Sequence, residues 1–325
     1  MSQFYSHDDT VKHGEMLANR VKKNLKHRRK FFKRQGTNSF RLYDWDIPEI
    51  RAVVDWYDGA LVVGEYVRDQ TKDIPWLETV SEILAEALEL PLDKVYLKRR
   101  QTRPSVWGKR YERLDKSDSY QEVQEQGLKF SVNLSDYLDT GLFMDHRQTR
   151  AMLREQVKGK RVLNLFAYTG SFSVYAADGG ASEVCTVDLS SKYIDWSKDN
   201  FALNQLDLEP HQFVVADVLT FIDEAYQDGQ QWDYIVLDPP SFSTRKESFE
   251  FDILRDHPDL IKRTMKLLAP EGTLYFSTNH QRFQEHFNSI DADYQEITKD
   301  TIPLDYQGRE VHRCFTFKHR VSHDS

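Results

Sequence analysis

Four short segments in the second half of the chain combine residue types and spacing suited to holding a small cofactor against a planar substrate. The first is Asn164-Leu165-Phe166-Ala167-Tyr168-Thr169-Gly170-Ser171, an apolar run that ends in a glycine turn before a helix start. A turn of that kind lets the backbone approach a bound cofactor closely. A dinucleotide fingerprint would carry three glycines, and only Gly170 is present. A pyrophosphate is therefore poorly catered for, and a nucleoside cofactor without phosphate fits better. Asp188 ends the next apolar run, about 20 residues on, where a carboxylate can accept hydrogen bonds from ribose hydroxyls. Asp217 ends a third run and could bind an adenine amino group. Each aspartate alone could be a helix cap. As a set at the ends of successive strands they are harder to explain that way.

The fourth segment is Asp238-Pro239-Pro240-Ser241-Phe242. Two prolines fix the backbone and remove two N–H donors. The Asp238 carboxylate and nearby carbonyls are then free to hold a planar heteroaromatic ring edge-on, with Phe242 available to stack on it. A Pro-Pro bend is common punctuation after a strand. Preceded by Tyr234-Ile235-Val236-Leu237 in the fourth strand of a nucleotide-type sheet, it signals a methyltransferase, with Asp238, Pro239 and Phe242 as candidate catalytic residues.

These segments need elements to position them. From about residue 136 strands and helices alternate: strand 161–166, helix 171–177, strand 183–188, helix 191–204, strand 212–216, helix 219–226, strand 234–238, helix 257–268 and strand 273–277. A helix around 283–290 and strands near 294–298 and 312–317 complete the series. Alternation of this kind predicts a parallel α/β sheet covered on both faces, with ligands at the carboxyl ends of its strands. The first half reads differently. Residues 11–35 form a helix with Leu17, Val21, Leu25 and Phe32 on one stripe, and Gly36 is a plausible stop. Strands at 51–57 and 60–66 flank Asp58-Gly59, a strong hairpin signal. A helix at 77–90 before Pro91 and strands at 95–98 and 128–133 make residues 40–135 a small α+β unit. Three domains are expected: 1–39, 40–135 and 136–325.

Charge follows the same division. The net charge of −8 argues against a polyanionic partner only on average. Residues 1–150 carry 26 Lys and Arg against 24 Asp and Glu, while residues 151–325 carry 18 against 28. Nine basic residues and no acidic one lie between Arg20 and Arg34, among them Lys22, Lys23, Lys26, Arg28, Arg29 and Lys30. A second cluster holds Lys98, Arg99, Arg100, Arg103, Lys109, Arg110 and Arg113, with Trp107 and Tyr111 inside it. Cations track phosphates and rings stack on bases, so both clusters are candidate RNA-binding surfaces. A solvated helix face and rings packed under a loop are the bland alternatives.

Beyond these readings, the chain resembles the bacterial ribosomal RNA large-subunit methyltransferases of the class I fold. Within them it resembles the C-terminal half of the bifunctional guanine methyltransferases that form N7-methylguanosine in 23S rRNA. The resemblance spans about residues 18 to 318. It rests on Ala18-Asn19-Arg20-Val21-Lys22-Lys23-Asn24-Leu25, Tyr43-Asp44-Trp45-Asp46-Ile47-Pro48-Glu49 and Tyr137-Leu138-Asp139-Thr140-Gly141-Leu142-Phe143-Met144-Asp145-His146-Arg147. It also rests on residues 164–170 and 238–242, and on Phe276-Ser277-Thr278-Asn279-His280. It implies a Rossmann-like methyltransferase sheet, with 40–135 as a module that recruits 23S rRNA. It implies S-adenosyl-L-methionine as cofactor, held by Phe143, Asp145 and Arg147 and cradled by Asn164, Phe166, Tyr168 and Gly170. Asp188 would take its ribose and Asp217 its adenine, with methyl transfer at Asp238 and Pro239. The sequence shows nothing of the other methyltransferase half, which leaves a separate partner enzyme as an expectation.

A related branch methylates C5 of cytosine and needs a cysteine thiolate to attack C6. Its cysteine follows the strand after Asp-Pro-Pro, where this chain has residues 276–280 and no cysteine. Neither Cys185 nor Cys314 is placed for that attack. Direct displacement by guanine N7 needs no such nucleophile. Methylation of cytosine C5 or of another rRNA base, a small-molecule methyltransferase, and an RNA-binding module without activity remain the competing readings. Two cysteines suit a reducing cytoplasm, no apolar run is long enough for a membrane span, and the polar first ten residues do not read as a signal peptide. No metal ligand set is assigned.

Overall fold

The computed structural model describes residues 4–101, 117–243, 251–306 and 308–320. The chain divides into two compact units, Met1–Met144 with Leu304–Arg309, and Asp145–Pro303 with Glu310–Ser325.

The first unit opens with α1 (His7–Lys33). Ser6 and Asp9 close a capping box at its start, and Lys30 and Lys33 complement the helix dipole at its end. Its buried stripe includes Leu17, Ala18, Val21 and Phe32. They join a core with α2 (Trp76–Ala87) and a sheet of β1 (Ser39–Asp44), β2 (Ala52–Tyr57), β3 (Ala60–Val67) and β4 (Val95–Gln101). The sheet order is β1-β2-β3-β4, with β4 parallel to β3 and α2 as the crossover. Between β2 and β3, Asp58 and Gly59 both have positive φ, at 39° and 96°, as a tight hairpin requires. A second hairpin pairs β5 (Gln121–Glu125) with β6 (Leu128–Val132).

The second unit contains α3 (Arg147–Gln156), β7 (Arg161–Leu165), α4 (Ser171–Asp178), β8 (Glu183–Asp188), α5 (Ser191–Leu203), β9 (Gln212–Val215), α6 (Val218–Gln227) and β10 (Trp232–Leu237). The short strands β11 (Phe242–Ser243) and β12 (Phe251–Asp252) follow, then α7 (Ile253–Met265), β13 (Leu268–Thr278), β14 (Asp293–Glu296), α8 (Thr298–Thr301) and β15 (Arg313–Lys318). Seven strands form one sheet in the order β14-β15-β13-β10-β7-β8-β9, and β15 runs antiparallel to both of its neighbours. Strand residues alternate between two buried faces. Leu163, Leu165, Ile235 and Phe276 pack with α6 and α7 on one face, while Val162, Val236 and Tyr275 pack with α3 and α4 on the other. Each fully buried aliphatic side chain of this kind contributes about 1.5–3 kcal/mol. The chain winds outward from β7 to β9 and then returns to β10 on the other side of β7. That reversal makes the carboxyl ends of β7 and β10 the switch point where such sheets bind ligands.

One predicted element is missing. The spacing of Phe283, Phe287 and Ile290 reads as a helix, yet residues 281–290 form turns and irregular backbone. All three side chains are buried, with Phe283 and Phe287 against Phe276 and Phe315. The His286 N–H donates to His257 Nε2 at 3.2 Å rather than to a helical carbonyl. Tertiary packing satisfies the apolar period without a helix.

Candidate active site

The turn between β7 and α4 takes the left-handed conformation at three residues, with φ of 55° at Phe166, 52° at Tyr168 and 71° at Gly170. A non-glycine residue pays strain there, so surrounding contacts must hold the loop. Two of them are visible. Asn164 is buried and donates through Nδ2 to Ser173 Oγ at 2.9 Å, which pins β7 to α4. The Tyr168 N–H donates to Asp188 Oδ2 at 2.9 Å. Gly170 meets a steric requirement as well: a Cβ there would lie 1.9 Å from Ser197 Oγ on α5.

Asp188 ends β8. Its other oxygen accepts the Ser190 N–H at 2.9 Å. Burial pushes the Asp188 carboxyl above the usual aspartate range, against the backbone N–H groups of Ser190, Tyr168 and Leu189 that draw it down. Each carboxylate oxygen has a further lone pair for a hydroxyl donor. Leu189, beside it, is 61% exposed and offers an apolar surface. Asp217 is the N-cap of α6 and accepts from the Thr220 N–H at 3.1 Å.

Asp238 follows β10. Its Oδ1 accepts from Ser277 Oγ at 2.6 Å, and its Oδ2 lies 3.6 Å from His146 Nε2. The side chain is 31% exposed, so one edge stays open. Ser241 Oγ donates to Asn279 Oδ1 at 2.9 Å, and the Phe242 ring meets His280 edge-on with centroids 5.7 Å apart. The stretch after Asp-Pro-Pro is thereby tied to the end of β13.

A histidine pair lies behind Asp238. His146 and His312 stack at 4.3 Å with an interplanar angle of 9°. His312 Nδ1 is 3.1 Å from Asp145 Oδ2 and its Nε2 is 3.0 Å from Thr301 Oγ1. Asp145, His146 and His312 bring ligand atoms within 4.8 Å of one another. Ring-nitrogen lone pairs lie in the ring planes, however, and two stacked, nearly parallel rings with centroids 4.3 Å apart do not aim them at one ion bound at about 2.0–2.1 Å. Arg147, the first residue of α3, is buried. Phe143 belongs to the first unit and is 38% exposed. Sequence reading assigned no role to Ser277, His146 or His312, although Ser277 and His146 stand inside the quoted motifs.

A family model for S-adenosylmethionine-dependent methyltransferases matches residues 40–297. The chain belongs to this family. S-Adenosylmethionine is the cofactor of the methyltransferase, and the partly open Asp188 carboxylate beside the left-handed turn fits a ribose diol. Ribosomal RNA large subunit methyltransferase K of Neisseria meningitidis serogroup B is 43% identical over 311 residues, covering 94% of this chain and 87% of that protein. The K/L methyltransferase of Aeromonas salmonicida is 44% identical over 314 residues, covering 93% of this chain and 43% of that protein. The methyltransferase thus spans less than half the length of its K/L relative. The solved structure of SMU.776 complexed with SAH superposes with a TM-score of 0.74 at 26% identity, over 98% of this chain and 83% of that one.

The basic residues of the methyltransferase divide into two groups. Lys22, Lys23, Lys26, Arg29 and Lys30 are exposed on α1. Arg28 departs from the expectation: it is half-buried and donates to the Arg41 carbonyl of β1. Arg99 pairs with Glu78 and Glu65, Arg100 with Asp139 at 3.4 Å, and buried Lys98 donates to the Ser135 and Tyr137 carbonyls. These cations are engaged with protein groups first. Arg103, Trp107, Lys109, Arg110, Tyr111 and Arg113 lie outside the described residues. Among the described residues no helix is long and apolar enough to cross a membrane.

Proposed function

We propose that the chain methylates N7 of a guanine in 23S ribosomal RNA. The observation that carries this reading is a part-open carboxylate at the switch point whose neighbouring thiol, Cys314, is fully buried and held un-ionised. Cys185 and Cys314, the two cysteines of the chain, are fully buried inside β8 and β15. Burial pushes the Cys185 thiol up to about 12 and raises Cys314 too, so neither supplies the thiolate that cytosine-C5 chemistry demands. The names of the relatives support a large-subunit rRNA substrate, and the meningococcal protein carries the K name alone at a length this chain nearly fills. N7 itself is supported only by the resemblance, chiefly of residues 138–147 and 276–280, to the guanine-N7 enzymes.

Bound S-adenosylmethionine supplies a methyl group on a sulfonium. Guanine N7 would take that methyl with its own lone pair, the electrons of the broken C–S bond staying on sulfur. N7 carries no proton, so no general base is needed, and the protein's task is alignment. Asp238 accepts from the N–H edge of the guanine, and Phe242 and Pro239 bound its faces. Asp188 accepts the ribose hydroxyls, and Asp217 accepts from the adenine amine. The turn through Asn164, Phe166, Tyr168 and Gly170 forms the cradle, with Asp145 and Arg147 at its edge. The exposed cations of α1 hold RNA opened so that the base can leave its stack. The cytoplasm is the proposed location, and a methyltransferase on a second chain is the proposed partner for the other K/L reaction.

The deciding assay supplies labelled S-adenosylmethionine and unmodified 23S rRNA, then digests the product to nucleosides. Label is expected in N7-methylguanosine, with chemical strand cleavage at that guanosine. Label in methylated cytosine, adenine or N2-methylguanine would refute the N7 assignment.

A further inference from the structure

We propose that His146 is a positioning residue for the Asp238 carboxylate, itself held by the Asp145–His312 pair. The inference rests on the reading that Asp238 contacts the target base. Ser277 fixes only one oxygen of Asp238. The other faces His146 Nε2 at 3.6 Å, slightly beyond a hydrogen bond, and contacts of this kind tighten when substrate binds. Without a second partner, the carboxylate could rotate about its Cβ–Cγ bond and lose register with a planar base.

His146 is built to stay where it is. Its ring is buried, stacked on His312 and tilted against Phe172 with centroids 5.7 Å apart. His312 is in turn held at both nitrogens, by Thr301 Oγ1 and by Asp145 Oδ2. His146 Nδ1 is buried with no hydrogen-bond partner, whereas Nε2 has Asp238 at 3.6 Å and Asp145 at 3.9 Å. A buried N–H left without an acceptor is costly, so the proton belongs on Nε2. The charged and titratable groups facing the ring are Asp238, His312, Asp145 and Arg150, and burial holds the imidazole below its usual range. A neutral ring with its proton on Nε2 can donate to Asp238 and has no competing acceptor on its other edge.

The test uses His146→Phe, which keeps a stacked ring and removes the donor, and His146→Gln, which restores an N–H near the Nε2 position. Single-turnover transfer of all label from S-adenosylmethionine to unmodified 23S rRNA is measured, whichever nucleoside receives it. His146→Phe is expected to slow transfer roughly 10- to 100-fold, with SAH affinity within about threefold of wild type. His146→Gln is expected to recover most of the rate. A wild-type rate in His146→Phe, an equal fall in SAH affinity, or no recovery in His146→Gln overturns the proposal. A second measurement needs neither RNA nor a His146 variant that folds. In histidine-15N-labelled protein with SAH, the His146 imidazole signals are expected to show a proton on Nε2 and to move on Asp238→Asn. Signals that stay unmoved, or a proton on Nδ1, overturn it. If wild-type protein transfers no label to rRNA, the substrate reading fails by itself and the imidazole signals still decide the role of His146.

Discussion

Ser277 donates to Asp238 at 2.6 Å because strand register delivers the two residues side by side. β10 and β13 are parallel neighbours with Leu237 opposite Phe276, so the next residue of each strand meets the other at the open end of the sheet. Ser277→Ala is expected to lower the single-turnover rate about tenfold, the worth of one hydrogen bond to a charged group. SAH affinity, measured by calorimetry, should stay at the wild-type value. A rate unchanged by the substitution would remove Ser277 from the site.

Asp188 carries the cofactor prediction. Asp188→Ala is expected to weaken S-adenosylmethionine binding by about 1.5–3 kcal/mol, roughly 10- to 100-fold. The sign of the pH effect follows from ionisation. The carboxylate accepts ribose hydroxyls best when charged, so affinity is present above its pKa and falls as pH drops through it. Because burial raises that pKa, the fall begins at higher pH than for an ordinary aspartate. Calorimetric titrations across pH check this, and Asp188→Asn should flatten the dependence.

Gly170→Ala is expected to destabilise the fold by about 2–4 kcal/mol, from the left-handed φ together with the clash against Ser197. Ser197→Gly in the same chain should recover part of the loss, because it removes the Oγ and Cβ that the new methyl meets at 1.9 and 2.7 Å. Denaturant unfolding of the two single variants and the double variant measures the coupling. Strict additivity would show that the contact with Ser197 is not the cause.

Cys185→Ala combined with Cys314→Ala should keep methyl transfer within about tenfold, since no step uses a thiol. Both positions are core sites, so the cost falls on stability instead. A covalent complex with fluorocytosine RNA, formed by wild type and lost in the double variant, would reverse the assignment.

Replacing Lys22, Lys26, Arg29 and Lys30 by alanine should reduce the slope of log affinity against log salt by roughly 3, if all four touch phosphate. Arg28→Ala should behave differently. It removes a bond to the Arg41 carbonyl and is expected to lower stability rather than the salt slope. Filter binding at several salt concentrations, beside melting curves, separates the two effects.

Local rules made much of this protein legible before its structure. Asp58-Gly59 tolerates the positive φ that a tight hairpin turn requires, so its hairpin could be read from two residues. The strand–helix alternation after residue 136 and the aspartates closing successive apolar runs depend on periodicity of 2 and 3.6, which is a property of the chain itself. Asp188 and Asp238 are found at strand ends for that reason. Periodicity misled at Phe283, Phe287 and Ile290, where packing against Phe276 and Phe315 replaced a helix.

Contacts between residues distant in sequence were decided only in three dimensions. Nothing local shows that Arg28 caps the Arg41 carbonyl while Arg29 stays in water, because a charge run looks uniform until one face of its helix is covered. Gly170 reads as a turn glycine, yet a Cβ there would also run into Ser197 on another helix. His146, Asp238, Ser277 and His312 come from four separate segments and meet through the order β15-β13-β10-β7. The sequence by itself determined which residue types stand at the strand ends. The tertiary structure decided which of them touch, because strand order and register are settled by long-range packing and leave no local trace.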